Sequence, residues 1–596
     1  MCAIAGIIDW NASGSLEAQL NQMLAIAVHR GRDGHGTYCS NGIHLGHNRL
    51  AIIDLSAAAQ QPFLADSTVV VFNGAIYNYI ELRKELIELG YTFTTQSDTE
   101  VIAVAYRAWG TACVKRFNGM WSFALHDQSS NQLFCSVDRF GVKPFHYTNY
   151  NGRFYFASEI KQLLTQVPAV ANYKVLATYL CFHLENYNAA TFFQNINRLS
   201  GGTNLLIDLQ TGAVKQERYF DLSNEKAITE AGSIEFQFNQ LAEKAVALRL
   251  RSDVKVGACL SGGIDSSYLL TQIKKQSNTA NFDLFTAAVA ERSLDDSFYA
   301  KQLVNQSQFA YKHHIVQPQK AQFLNTLKEV FHCQEEPFNS PSVFMQYFIM
   351  EEASKQGVKV LIDGQGADEF LLGYDRYLPF YINQAHGINR VLRFQKALQK
   401  TAMPIKELAA FEWLFTNADR RLQRLLSKQS AMVEEYKQLA ESGFISSQAN
   451  DYASLTNFPI TEIAHTQLPK LLRYEDRNSM HFGIETRLPF LDKDWAVYNF
   501  KLPLDWKINQ GETKFILRQA LRSQNLNTIA NRKRKIGFAA PESDWLSDPS
   551  FMYTKIAASA ILKRIYSHLP DYQHDRGICW KLYSIAMWEE TMEVLS

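Results

Sequence analysis

Residues 254–270 read VKVGACLSGGIDSSYLL. An apolar run of strand type comes first, then a loop of small residues, then a helical spacing that starts near Ser266. A strand that ends in such a loop and enters a helix turns backbone N–H groups and the positive end of the helix toward one point, which suits an anion such as phosphate. The stretch lacks the GK[ST] of a P-loop and is not GxGxxG, so neither of those nucleotide signatures applies. SGG alone would also serve as a plain βα turn, and the flanking sequence has to decide between the two readings.

Three further runs, LFTAAVA (284–290), KHHIVQ (312–317) and VKVLIDG (358–364), have the apolar character of buried parallel strands, with helical patterns between them. That alternation predicts a doubly wound α/β sheet. The last run enters GQGADEFLLGYDRY (364–377), which puts Asp368 and Glu369 at the same sheet edge as the glycine loop. With this context the full SGGIDSS resembles the PP-loop of ATP pyrophosphatases. The resemblance implies an ATP site formed by Leu260, Ser261, Gly262, Gly263, Asp265, Ser266, Val289, Asp363 and Gly364. It implies Mg²⁺ shared by Asp265, Asp368 and phosphate oxygens.

The chain has 596 residues, too many for one hydrophobic core, so two or more domains are expected. Hydrophobic residues make up 46% and charged residues 20%, the balance of a globular protein. A formal net charge of +1 argues against a dedicated nucleic-acid binder. No apolar run approaches a membrane span, and no signal peptide is evident. Eight scattered cysteines without a CxxC pair suggest neither a metal centre nor a disulfide framework, and the expected location is the cytoplasm.

The first 200 residues are strand-rich, with amphipathic helices near 16–28 and 78–89, and predict an α+β layered domain. They open MCAIAGIIDW. Removal of Met1 would leave Cys2 with a thiol and a free α-amine to act as its base. Polar residues gather in HRGRDGHG (29–36), HNRLAIID (47–54), FNGAIYNY (72–79), SDTE (97–100) and DRFGVKP (138–144). Taken singly, Asn73–Gly74 reads as a turn and Asp98 as a helix N-cap. In this order the motifs resemble the class II glutamine amidotransferase domain, an N-terminal-nucleophile hydrolase. The resemblance implies Cys2 as nucleophile, an oxyanion hole from the Asn73 side chain and the Gly74 N–H, and Arg49 and Asp98 as holders of the glutamine α-carboxylate and α-amine.

The second half also contains HCQEEPFNSPS (332–342), LLRYEDRNSMHFGIETRLPFLD (471–492) and NRKRKIGFAAP (531–541). These resemble the synthetase domain of the glutamine-hydrolysing asparagine synthetase family. The domains expected are 2–210 for the amidotransferase and 225–596 for the ATP-pyrophosphatase. The resemblance gives Lys535 the charge at the α-phosphate and Glu336 the proton of the attacking ammonia. It implies glutamine, aspartate and ATP as substrates, neither nucleic acid nor membrane as partner, and ammonia passing between domains; a homodimer is left open. Three departures stand out: Arg32 where the pattern has Pro, Ala75 where many members have Glu, and Asp363 where many have Ser. The same chemistry on a sugar acid, peptide or secondary-metabolite precursor stays open, as does a glutamine- or nucleotide-sensing protein without synthesis. Residues 375–465 carry no motif.

Overall fold

The structure is a computed structural model that describes residues 2–11, 14–226, 232–276, 282–291, 295–306, 311–415, 417–451, 454–533 and 539–596. Two six-stranded antiparallel sheets form the first half. In one, the strands run in the order β10 (Asn197–Arg198), β8 (His146–Tyr150), β9 (Arg153–Ala157), β1 (Ala3–Asp9), β3 (Ile43–Arg49), β2 (Gly34–Ser40). In the other the order is β12 (Val214–Arg218), β11 (Thr203–Asp208), β7 (Gln132–Val137), β6 (Gly119–Asp127), β5 (Thr68–Ile76), β4 (Phe63–Ala65).

The period of two in these strands builds the layers. In β5, Val69 and Val71 face the other sheet, where they meet Ile4 and Ile8 of β1. Val70 and Phe72 face the opposite way and pack against the helices Tyr79–Glu88 and Asp98–Trp109. Ala5 and Ile7 of β1 likewise turn outward, against Leu20, Met23 and Leu24 of the helix Glu17–Ala25. Helix, sheet, sheet and helix thus stack in four layers, the layered α+β arrangement expected. Ser97, not Asp98, caps the Asp98–Trp109 helix, through a bond from the Thr99 N–H. This leaves Asp98 buried in the first turn.

The second half is built on a five-stranded parallel sheet. Its order is β15 (Tyr311–Val316), β14 (Phe282–Ala287), β13 (Val256–Cys259), β16 (Val360–Ile362), β17 (Glu485–Arg487). In chain order this is 3-2-1-4-5, so the winding reverses between β13 and β16. Ligands of open α/β sheets bind beyond the strand ends at such a point. The helix Ile264–Gln276 starts there, two residues earlier than the sequence suggests, and Asp363 ends β16 on the same side. Gly262 has φ +74°, and a Cβ there would lie 2.6 Å from the Asp296 carbonyl oxygen, so the loop requires glycine. Helices fill much of 375–465. Among the described residues, no helix is long and apolar enough to cross a membrane.

One helix, Leu468–His481, lies between the halves, with β17 following it. Its residues Arg473 and Glu475 to Ser479 are all buried, which its polar sequence, RYEDRNS, does not suggest. Each finds partners in one half or the other, as a buried charge must.

Candidate functional site

Two cavities hold most of the residues expected to carry chemistry. The first is small and lies at the end of β1. Cys2, Arg49, Gly74, Ala75 and Asp98 line it, together with Glu485 and Arg487 from β17 of the other half. The Cys2 N–H donates to Asn73 Oδ1 at 3.1 Å. Asn73 is fully buried, and its Nδ2 has no acceptor among the described residues. A buried donor without an acceptor is costly, and a developing oxyanion would satisfy it. Gly74 pairs with Trp121 across β5 and β6, and a Cβ there would sit 2.1 Å from the Met120 carbonyl oxygen, so close packing demands glycine. Burial pushes the Cys2 thiol above its ordinary pKa, so it rests protonated and needs a base. The Arg49 guanidinium is held by the carbonyls of Asp54 (2.5 Å) and Ser56 (2.9 Å). Asp98 Oδ2 accepts from the Ile76 N–H at 2.9 Å. Burial, with Glu485 adding to it, pushes the Asp98 carboxyl up to about 6. Ala75 meets the cavity with its methyl group in place of a carboxylate, whereas Arg32 is exposed and points to the His481 carbonyl.

The second cavity, about 410 Å³, opens at the winding reversal. Ser261, Gly263, Asp265, Ser266, Asp363, Gly364 and Asp368 line it, as the sequence suggests. The loop is tied by its own serines: Ser266 Oγ accepts from the Ser261 N–H at 3.2 Å, and Ser261 Oγ from the Gly263 N–H at 3.2 Å. Lys514 Nζ lies 2.5 Å from Asp265 Oδ2 and 2.7 Å from Asp368 Oδ1. Burial works against its charge, but the two carboxylates hold its pKa above the ordinary lysine value. Arg518, Arg532 and Lys533 line the same cavity, and Arg532 donates to the Gly262 carbonyl at 2.6 Å.

Not every expected residue joins these cavities. Leu260 and Val289 are buried and do not line the second one, nor does Gly262, and the buried Asn73 does not line the first. Lys535 lies outside the described residues. Glu336 departs from its expected role. Its carboxylate accepts from Arg198 Nη2 (2.9 and 3.1 Å), Arg473 Nη1 (3.2 Å) and the Phe192 N–H (3.0 Å), and it does not line the nucleotide cavity. Burial alone would raise its pKa, but Arg198 and Arg473 bring it down to about 2.

One side chain that joins the two halves also holds Cys2. Arg30 Nε donates to the Cys2 carbonyl at 3.1 Å, while its Nη atoms bind Asp476 Oδ1 and Oδ2 at 3.1 and 2.8 Å. Nη1 also reaches Glu159 at 2.8 Å.

Comparison with known sequences agrees with this division. A glutamine amidotransferase domain matches residues 1–220, and asparagine synthase matches residues 237–565. The chain belongs to the asparagine synthase family. Asparagine synthetase [glutamine-hydrolyzing] 1 of Bacillus subtilis (strain 168) is 27% identical over 99% of this chain and 96% of that protein. A putative asparagine synthetase [glutamine-hydrolyzing] of Mycobacterium bovis is 30% identical over 94% of this chain and 91% of its own length. Another of Methanocaldococcus jannaschii is 33% identical over 68% and 81%.

Some residues of the two cavities carry no clear signal in the sequence. Lys514 sits in GETKFILR, where one lysine before an apolar helix gives no hint of two carboxylate partners 146 and more residues upstream. Glu485 and Arg487 were visible as charges inside GIETRLPF, an otherwise apolar run, and that contrast was the available signal. Arg30 and Asp476 lay in quoted motifs without an assigned role.

Proposed function

We propose that the chain is a glutamine-dependent amide ligase that makes asparagine from aspartate, with ATP cleaved to AMP and pyrophosphate. The observation that carries this reading is the presence on one chain of a buried cysteine beside an unsatisfied amide donor and a PP-loop flanked by two carboxylates.

Cys2 attacks the side-chain amide of glutamine once the chain's own α-amine has taken the thiol proton, which requires loss of Met1. Asn73 Nδ2 and the Gly74 N–H receive the charge that develops on the carbonyl oxygen. Arg49 clamps the α-carboxylate, and Asp98 the α-amine. Ammonia leaves, and water hydrolyses the γ-glutamyl thioester. In the second cavity the loop N–H groups hold the phosphates of ATP while Lys514 and Arg532 supply positive charge; the family resemblance adds Lys535 to them. The β-carboxylate of aspartate attacks the α-phosphate to give an acyl-adenylate and pyrophosphate, and ammonia then displaces AMP. Ammonia has to cross without meeting bulk water, which would protonate it.

Asp265 and Asp368 would hold Mg²⁺. They already converge on one cation, the Lys514 ammonium. Two carboxylates with phosphate oxygens and water make a normal Mg²⁺ shell, and no group of three or more ligating side chains occurs among the described residues. Bound there, the ion would neutralise phosphate charge.

The test supplies aspartate, glutamine and Mg-ATP and looks for asparagine, AMP and pyrophosphate. Glutaminase activity without aspartate-dependent pyrophosphate release would overturn aspartate as acceptor. ADP as product would overturn the PP-loop reading. Asp363, which puts a carboxyl where serine is usual, favours testing other carboxylate acceptors second.

A further inference from the structure

Amide formation from an acyl-adenylate leaves a proton to be placed. Ammonia adds to the carbonyl carbon through its lone pair, the bond from that carbon to the AMP oxygen breaks, and the nitrogen must shed one hydrogen as H⁺ to become a neutral amide. Glu336 does not line the nucleotide cavity, and Arg198 and Arg473 occupy its carboxylate.

Another carboxyl pair stands at the nucleotide cavity. Asp363 ends β16 and lines the cavity; its Oδ1 accepts from the Gly364 N–H at 2.6 Å, and its Oδ2 is buried without a donor among the described residues. Glu475 comes from the Leu468–His481 helix and is 2% exposed. Its Oε2 accepts from Gln346 Nε2, and its Oε1 is buried without a donor. The two carboxyl groups lie side by side, with Gln365 also on Glu475. Two carboxyls can do so only if one proton lies between them. The charged and titratable groups around them are Asp265 on the loop side and Cys259 on β13. Burial, with Asp265 adding to it and Glu475 opposing it, pushes Asp363 up to about 6, and burial with Asp363 pushes Glu475 well above the carboxylate range.

The pair also lies next to a contact between the two halves. Asp476, next to Glu475 on the same helix, binds Arg30, which holds the carbonyl of Cys2. The helix therefore sets Glu475, the partner of the cavity-lining Asp363, one residue before Asp476, which reaches the other half.

We infer that the Asp363–Glu475 pair accepts the proton that ammonia loses in the amide-forming step. Asp363, which faces the cavity, is the catalytic member, and Glu475 is the positioning residue that shares its proton. The pair starts with one proton, takes a second from the tetrahedral adduct as AMP departs, and returns it to solvent before the next turnover. This inference rests on the reading of the chain as an amide ligase.

The experiment compares wild type with Asp363→Asn and Glu475→Gln in three assays: aspartate-dependent ATP–pyrophosphate exchange, amide formation from ammonium, and hydroxamate formation from hydroxylamine. Glutaminase activity at Cys2 reports folding, and if one variant fails that check the other decides. Exchange in Glu475→Gln should stay within about 3-fold of wild type, because adenylation precedes the proton transfer; Asp363→Asn also alters the ATP cavity and is read as amide formation relative to its own exchange. Amide formation from ammonium should fall about 100-fold or more, the usual worth of a general base. The acid limb of the wild-type pH profile near 6 should vanish in both variants. Hydroxylamine should restore turnover, since its adduct nitrogen is acidic enough to give the proton to water. Variants that amidate at the wild-type rate, or that lose ammonium and hydroxylamine turnover together, would overturn the inference. A wild type with no aspartate-dependent exchange would instead overturn the reading of aspartate as acceptor, and this inference with it.

Discussion

Arg30 and Asp476, 446 positions apart, form a two-pronged ion pair that is almost wholly buried at the boundary between the amidotransferase and synthetase halves. The same guanidinium holds the carbonyl of Cys2, so the position of the nucleophile depends on a residue of the other half. Breaking a buried pair by removing one partner costs about 3–5 kcal/mol, because the other charge is left behind. Arg30→Ala should lower the urea midpoint of unfolding accordingly. Asp476→Asn, which keeps a hydrogen-bond acceptor, should fold better yet lose glutaminase rate about 10-fold or more through misplacement of Cys2. Glutaminase at the wild-type rate in Asp476→Asn would show that the pair is only a clamp.

Cys2→Ala should abolish use of glutamine and leave synthesis from added ammonium, because the two cavities do separate chemistry. Intact-mass measurement of active protein should show Met1 removed; full activity with Met1 retained would refute the α-amine as base.

To hold the glutamine ammonium as proposed, Asp98 must be an anion, and its carboxyl is pushed up to about 6 by burial and Glu485. The carboxylate is therefore lost as pH falls through about 6, well above the range of an exposed aspartate. KM for glutamine should rise steeply below that point with less change in kcat. Asp98→Asn should show a high KM at every pH and no such rise.

Lys514→Met removes the cation shared by Asp265 and Asp368, 2.5 and 2.7 Å away. The variant should leave glutaminase intact and lower pyrophosphate release by about two orders of magnitude, as loss of a charge aimed at the reacting phosphates would. The two carboxylates left facing one another should make the variant more dependent on Mg²⁺ for thermal stability than wild type. Equal stabilisation of both proteins by Mg²⁺ would argue against a metal at this pair.

The layered and doubly wound sheets were readable because their signals are local: alternation in β5, continuous apolar runs in β13 to β16, and small residues where the loop turns. Cys2, Asn73, Asp98, Asp265 and Asp368 stood out for the same reason, each inside a motif. The three-residue strand β17 was too short to register as periodicity, and its charged ends argued against a strand. Glu336 misled because its motif marks it as important without saying which charges face it; Arg198 and Arg473 are set by tertiary packing. The Asp363–Glu475 pair was half visible, as an odd aspartate whose partner lies on a helix 112 residues later.

The wall of the glutamine cavity built by Glu485 and Arg487 bears on how such enzymes can be recombined. A glutaminase module cut out at the natural joint would leave its binding pocket open on one side, even with every residue of its own fold in place. Exchange of modules between relatives would then succeed only where the donor's pocket accepts the recipient's strand, so the two halves are bound to change together.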